Sequence, residues 1–178
     1  MKELKELQKE IPHKWRVQSF SKYKPSGSCV AYIDARQAED LLDDVVGAEN
    51  WQVDYKEVCG LLMAGVSIKI GDEWVTKWDT GSESNVEKEK GHVSDSFKRA
   101  CVKWGVGRFL YAKDIQYVSA NEVKTDNNFP YPVDNNGKRI WDLTKHLNSG
   151  KNKPSKTVEA IDKVVHAETE KAKSELPF

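Results

Sequence analysis

Leu61-Leu62-Met63-Ala64-Gly65-Val66-Ser67-Ile68-Lys69-Ile70-Gly71-Asp72-Glu73-Trp74-Val75-Thr76-Lys77-Trp78 reads as two strands joined at a two-residue turn. Val66, Ile68 and Ile70 alternate with Ser67 and Lys69, so the first strand buries one face. Gly71-Asp72 supplies a hairpin turn. Beyond it Trp74, Thr76 and Trp78 share one face while Val75 and Lys77 take the other. Trp51 to Glu57 alternates in the same way upstream, and the three segments predict an antiparallel meander.

Working outward, Ala38, Leu41, Leu42, Val45 and Val46 recur at i, i+3, i+4, i+7 and i+8, which predicts an amphipathic helix from about Asp34 to a stop at Gly47. A second helix is expected from Ser94 or Asp95, either a suitable cap, to about Trp104, with Gly105 and Gly107 at its end. Strands are expected over Trp15 to Phe20, Cys29 to Ile33, Ile115 to Val118 and Ile140 to Leu143. A turn is expected at Lys24-Pro25-Ser26-Gly27, a short surface helix before Pro12, and mobile loops over Gly81 to Gly91 and Asn127 to Lys138. The fold class is therefore α+β. Residues 1–147 are expected to form the ordered domain, and residues 148–178 a linker with a charged C-terminal helix or tail.

Composition bounds the function. The 178 residues suit one ordinary domain with an appendage. Mean hydropathy is −0.69, and no run approaches the roughly 18 apolar residues of a membrane span. No secretory signal opens the chain, so a cytoplasmic protein of a bacterial or phage-infected cell is expected, with no membrane partner. The 3 cysteines, Cys29, Cys59 and Cys101, lack C-x-x-C spacing and predict neither a disulfide framework nor a zinc knuckle. His13, His92, His146 and His166 are too scattered for a metal site, and no phosphate loop or dinucleotide fingerprint occurs. Neither a cofactor nor a catalytic residue is assigned. Asp54 and Lys56 form an acid-x-Lys triplet with Tyr55, the one feature that a metal-dependent nuclease would use.

Net charge is +0, yet the charge is segregated. From Asp34 to Glu57 eight acids face two bases, and from Lys88 to Lys113 seven bases face two acids. On the second helix Val93, Phe97, Cys101 and Trp104 cluster on one side, leaving Lys98, Arg99 and Lys103 spread over the other. The residue four before Lys98 is Ser94, and four before Lys103 is Arg99, so neither has an acidic partner on the helix. Unpaired cations beside Lys88 and Lys90 are what a phosphate backbone neutralises. Trp74 and Trp78 are expected to fill the sheet-to-helix core rather than to stack on bases.

Val93-Ser94-Asp95-Ser96-Phe97-Lys98-Arg99-Ala100, then Lys103-Trp104-Gly105 and Gly107-Arg108-Phe109-Leu110-Tyr111, resembles the signature helix of the Rad-fifty-two type single-strand annealing proteins, especially their short phage and bacterial members. Ala31-Tyr32-Ile33-Asp34 ahead of the acidic helix, Trp51, and Gly81-Ser82-Glu83-Ser84 follow the same order of elements, from about Ile11 to Tyr111. The resemblance implies a β-β-β-α core, subunits joined edge to edge in a homo-oligomeric ring, and single-stranded DNA held by its backbone with the bases free. It further implies ATP-independent annealing in recombination and repair, with no bond made or broken and hence no enzyme. Lys98 and Arg99 correspond to the family's groove Lys-Arg pair, Tyr32 to a groove tyrosine and Arg16 to an N-terminal groove arginine. A further groove arginine falls on Val102, and the nearest cation, Lys103, is rotated by about 100°. The rival expectations are the nuclease and an oligomer that protects DNA ends without annealing. The terminal Ser174-Glu175-Leu176-Pro177-Phe178 resembles the tip of bacterial single-strand binding proteins, which implies docking to host repair proteins.

Overall fold

The computed structural model describes residues 2–81 and 88–149. In chain order they form β1 (Lys14–Phe20), β2 (Ser26–Tyr32), α1 (Ala35–Val46), β3 (Trp51–Val58), β4 (Leu61–Ile70), β5 (Glu73–Thr80), α2 (Lys88–Trp104), β6 (Gln116–Ala120), β7 (Pro132–Val133) and α3 (Leu143–Asn148), with 3-10 turns at Leu4–Gln8, Ala48–Asn50 and Arg108–Ala112. The fold is α+β. It divides into two compact units, one from the described residues of Met1–Lys14 with Ala31–Lys113, the other from Trp15–Val30 with the described residues after 113. Among the described residues no helix is long and apolar enough to cross a membrane. The linker and tail from residue 150, the tip at Phe178, and Ser82, Glu83 and Ser84 lie outside the described residues.

The first unit is the meander, ordered β3-β4-β5, with α2 packed on β4 and β5. Val53, Val66 and Lys77 stand opposite one another, which puts them on one face. Ala64, Val66 and Ile68 of β4 meet Phe97, Ala100, Cys101 and Trp104 of α2 in the core, and the apolar stripe of α1 completes it. Removing each of the larger side chains from water contributes about 1.5–3 kcal/mol. The start of α1 is fixed by reciprocal capping. The Asp34 carboxylate accepts from the Gln37 N–H at 3.0 Å while the Gln37 side-chain oxygen accepts from the Asp34 N–H at 3.0 Å. Val93, expected with the apolar stripe of α2, is instead 40% exposed, because it precedes the turns that reach the sheet. The helix itself begins earlier than its capping residues suggest, at Lys88.

The two tryptophans of β5 depart from expectation. Lys77 and Asp79 reach α2, so the alternation of β5 sends Trp74 and Trp78 to the opposite face of the sheet. Trp78 lies over Gly65, where a Cβ would stand 2.6 Å from the indole, and the Lys56 ammonium caps that ring at 3.7 Å. The core is filled from α2 by Trp104 instead, whose indole N–H donates to the Val66 carbonyl at 2.9 Å.

The N-terminal segment is pinned to α1 by Leu7, which is fully buried, and by Lys2 and Lys9, whose ammonium groups lie 2.5 and 2.9 Å from the Asp44 carboxylate. The hydrogen bond from Lys2, then that from Lys9, holds the Asp44 carboxyl down at about 2 against an ordinary 3.8. A depressed carboxyl stabilises the fold above its unfolded value and loses that contribution as pH falls through its folded value. The tether should therefore hold at neutral pH and weaken between pH 3.8 and about 2. A carboxyl-carbon shift titration checks this. A midpoint at or above 3.8 would refute the tether, and Asp44→Asn should abolish acid-induced exchange of the Leu7 amide in that range.

The second unit is a four-stranded sheet in the order β1-β2-β6-β7. Trp15 ties β1 to α3, its N–H donating to the Thr144 hydroxyl at 3.0 Å and its indole N–H to Asn148 at 3.1 Å. The strand expected over Ile140 to Leu143 is absent. Asp142 accepts from the Lys145 N–H at 2.8 Å and so opens α3 there, a cap that outweighs the short apolar run. The stretch from Asn127 to Lys138, expected to be a mobile loop, contains β7 and is hydrogen-bonded to Asn121 and within its own turn. Tyr131 N–H donates to Asn121 Oδ1 at 2.7 Å, and Asp134 Oδ1 accepts from the N–H groups of Asn136 and Lys138 at 2.9 Å each.

Candidate nucleic-acid interface

Helix α2 turns Ser96, Phe97, Ala100, Cys101 and Trp104 into the core. At 100° per residue this leaves Lys98, Val102, Arg99 and Lys103 across the remaining arc. Lys98 is half-buried, and Arg99 and Lys103 are exposed. Two features hold the helix in place. The Gly81 N–H donates to the buried Ser96 hydroxyl at 2.9 Å, and a Cβ on Gly81 would stand 2.8 Å from the Ser96 nitrogen, so β5 hands over to α2 at a contact only glycine permits. At the other end the Gly105 N–H donates to the Val102 carbonyl and the Val106 N–H to that of Cys101, a Schellman ending that requires the +109° φ of Gly105.

The expectation that these cations are all unpaired is corrected by β5. Asp79 Oδ2 lies 3.8 Å from Arg99 Nη2 and 3.6 Å from Lys103 Nζ. The partner comes from a strand rather than from i−4, so the helix pattern could not reveal it. Both pairs are long and their cations roughly half exposed, and such pairs contribute about 0–1 kcal/mol, little enough for a phosphate to displace. Lys98 has no ion pair among the described residues.

Two further cations gather at the same helix end, and the sequence reading missed them. Lys77 donates to the Lys103 carbonyl at 3.1 Å with its ammonium 3.9 Å above the Trp104 ring, while Arg108 donates to the carbonyls of Val102 at 3.0 Å and Lys103 at 3.1 Å. They answer the partial negative charge of the helix C-terminus. Lys77, Arg99, Lys103 and Arg108 against Asp79 leave three net positive charges around the last turn among the described residues, beside Lys98. Arg108 had a readable signal, standing just beyond Gly105 where C-terminal cations belong. Lys77 had none, because its neighbours come from another element.

The other expected residues are distributed. Tyr32 ends β2, half-buried and in the first unit. Lys14 is held by Asp34 at 2.7 Å. Arg16 is exposed on β1 in the second unit. Lys88 and Lys90 stand in the first turn of α2, and their side chains are outside the described residues. Asp54 stands opposite Gly65 on the sheet face away from α2. Among the described residues no group of three or more His, Cys, Asp or Glu is placed to hold a metal ion. Burial pushes the thiols of Cys29, to about 11, and of Cys101 upward, which leaves both unreactive.

The strand-strand-helix stretch just described, carried on into the second unit, is where the chain meets a known family. Residues 58–129 match the model of the Rad52/22 family double-strand break repair protein. That segment is similar to the Rad52/22 family. It contains β4, β5 and α2, hence Lys77, Asp79, Lys98, Arg99, Lys103 and Arg108. Over 114 residues the chain is 30% identical to the single-stranded DNA-binding protein DdrA of Deinococcus deserti, covering 63% of this chain and 56% of that protein. Over 112 residues it is 28% identical to the single-stranded DNA-binding protein DdrA of Deinococcus radiodurans, covering 62% and 53%. The chain thus spans about half the length of the curated relatives it matches. No solved structure matches it. The Rad52/22 match and the two relatives bear out the resemblance drawn from the Lys-Arg-Ala helix and its trailing glycines.

Proposed function

We propose that the chain binds single-stranded DNA through the outer arc of α2 and, as a homo-oligomeric ring, anneals complementary strands in recombination and repair without ATP. The observation that carries the reading is the cationic last turn of α2, where among the described residues Lys98 has no ion pair and Arg99 and Lys103 have only the long contacts to Asp79. Cations on one arc neutralise a phosphate backbone without touching base edges, which leaves the bases available for pairing. DdrA, by its name, binds single-stranded DNA. Support for self-association comes from the meander. Strands β3 and β5 are its edges, each 8 residues long, and the sheet exposes Tyr55, Val58, Leu61, Ile70, Trp74 and Val75. Such an edge invites pairing with a second copy, and head-to-tail contacts that close make a ring.

The test mixes labelled complementary strands with the full chain in EDTA and without nucleotide. Accelerated pairing, with an oligomer by light scattering at micromolar concentration, is expected. Binding without acceleration would overturn annealing and leave end protection. A strict requirement for magnesium, with strand scission, would favour a nuclease using Asp54 and Lys56.

Asp79→Asn provides a check that a generic basic surface does not predict. Removing the acid that pairs with Arg99 and Lys103 among the described residues loosens both, so affinity for single strands should rise several-fold at low salt, an effect of roughly 1 kcal/mol. An unchanged or weaker affinity in a folded variant would remove Arg99 and Lys103 from the interface.

A further inference from the structure

The second unit carries an arrangement that the proposal for α2 does not use. The Arg139 guanidinium lies against two rings, its carbon 4.6 Å from the centroid of Tyr131 and 4.1 Å from that of Trp141. Trp141 is 80% exposed, so the indole remains largely open beyond its arginine contact. The same segment bears a second stack, Lys124 with its ammonium 5.0 Å over Phe129, a ring 91% exposed. Phe129 and Tyr131 are two residues apart, which sets their Cα atoms within about 7 Å.

The backbone beneath is rigidly held. Tyr131 and Asn121 exchange two hydrogen bonds, at 2.7 and 3.1 Å, and the Ile140 N–H donates to the Pro132 carbonyl at 2.9 Å, fixing the segment between Arg139 and Trp141 against β7. The nearby Asp134 carboxylate accepts from the N–H groups of its own turn, and Asp126 lies 3.7 Å from Lys22. Lys124, which also donates to the Asn128 carbonyl, and Arg139 are the cations in contact with the rings. Large flat side chains left in water are costly. Rings that alternate with cations match one ligand class, a flexible polyanion with flat, unpaired rings.

We infer that Trp141 and Phe129, with Arg139 and Lys124, form a base-stacking site for single-stranded nucleic acid in the second unit, separate from the phosphate contacts of α2. The inference rests on the reading that the chain binds single strands and adds to it a contact with bases. Each ring takes one base on its open face, and the adjacent cation takes the phosphate. The remaining bases stay free.

The experiment compares, for the full chain, a thymidine oligonucleotide with an abasic oligonucleotide of equal length by fluorescence anisotropy. The unmodified protein should prefer the thymidine strand by roughly tenfold per engaged base. Trp141→Ala with Phe129→Ala should lose most of that preference while its affinity for the abasic strand and its salt dependence stay unchanged. Trp141→Phe should restore part of it. Both rings are so exposed that circular dichroism should be unaltered. A double variant that keeps the preference overturns the site. So does one that keeps it while its mass by light scattering falls, which would show that the rings meet a second copy. Failure of the unmodified protein to bind either strand would instead overturn the reading for α2 along with this one.

Discussion

Replacing Trp104 with Ala is expected to cost about 3–5 kcal/mol, the largest loss from any single change in the first unit. The indole is 7% exposed, donates to the Val66 carbonyl at 2.9 Å and carries the Lys77 ammonium 3.9 Å above its ring. One truncation thus opens a cavity between α2 and β4 and releases the cation that caps the helix. Urea unfolding followed by circular dichroism measures it. Trp104→Phe keeps most of the burial and loses only the hydrogen bond, for which about 1 kcal/mol is expected. A Trp104→Ala variant within about 1 kcal/mol of the unmodified chain would show that the sheet and α2 are not packed through this residue.

The second large effect is on binding. Lys98→Ala with Arg99→Ala should flatten the slope of log affinity against log salt by about 1.4, two phosphate contacts at about 0.7 each for single strands. Extrapolated from 1 M, that slope corresponds to a loss on the order of 25-fold at 0.1 M salt, shared by all sequences because phosphates carry no base identity. Both side chains lie outside the buried stripe of α2, so the double variant should fold. An unchanged slope would exclude them from the interface. The Asp79→Asn variant, moving in the opposite direction, separates a specific arc of cations from a loss of net charge.

Several features were legible because they are local. The apolar period of α1 and the alternation of β3, β4 and β5 are steric and hydrophobic requirements that act over a few residues. The helix stop at Gly105 is equally local, since only glycine readily takes its φ of +109°. The Lys-Arg-Ala pattern of α2 was legible in the same way, and the Rad52/22 match over residues 58–129 agrees with it. In the second unit Asp142 was a readable cap, and its capping of α3 overrides the strand expected at Ile140 to Leu143.

The sequence by itself determined which residues alternate and which arc of α2 is polar, because those depend on the geometry of one element. Which face of a strand meets a helix depends on where another element packs, and period-2 alternation is silent between the two. That is why Trp74 and Trp78 were assigned to the core and stand on the opposite face of the sheet, and why Lys77 and Asp79 were passed over although they face α2. The pairing of Asp79 with Arg99 and Lys103 joins residues about twenty positions apart through strand-to-helix contact, and the Tyr131–Arg139–Trp141 stack joins a loop to the strand edge that β7 creates. Electrostatic and stacking contacts act through space rather than along the chain, so only the tertiary structure could decide which charges are held and which are free.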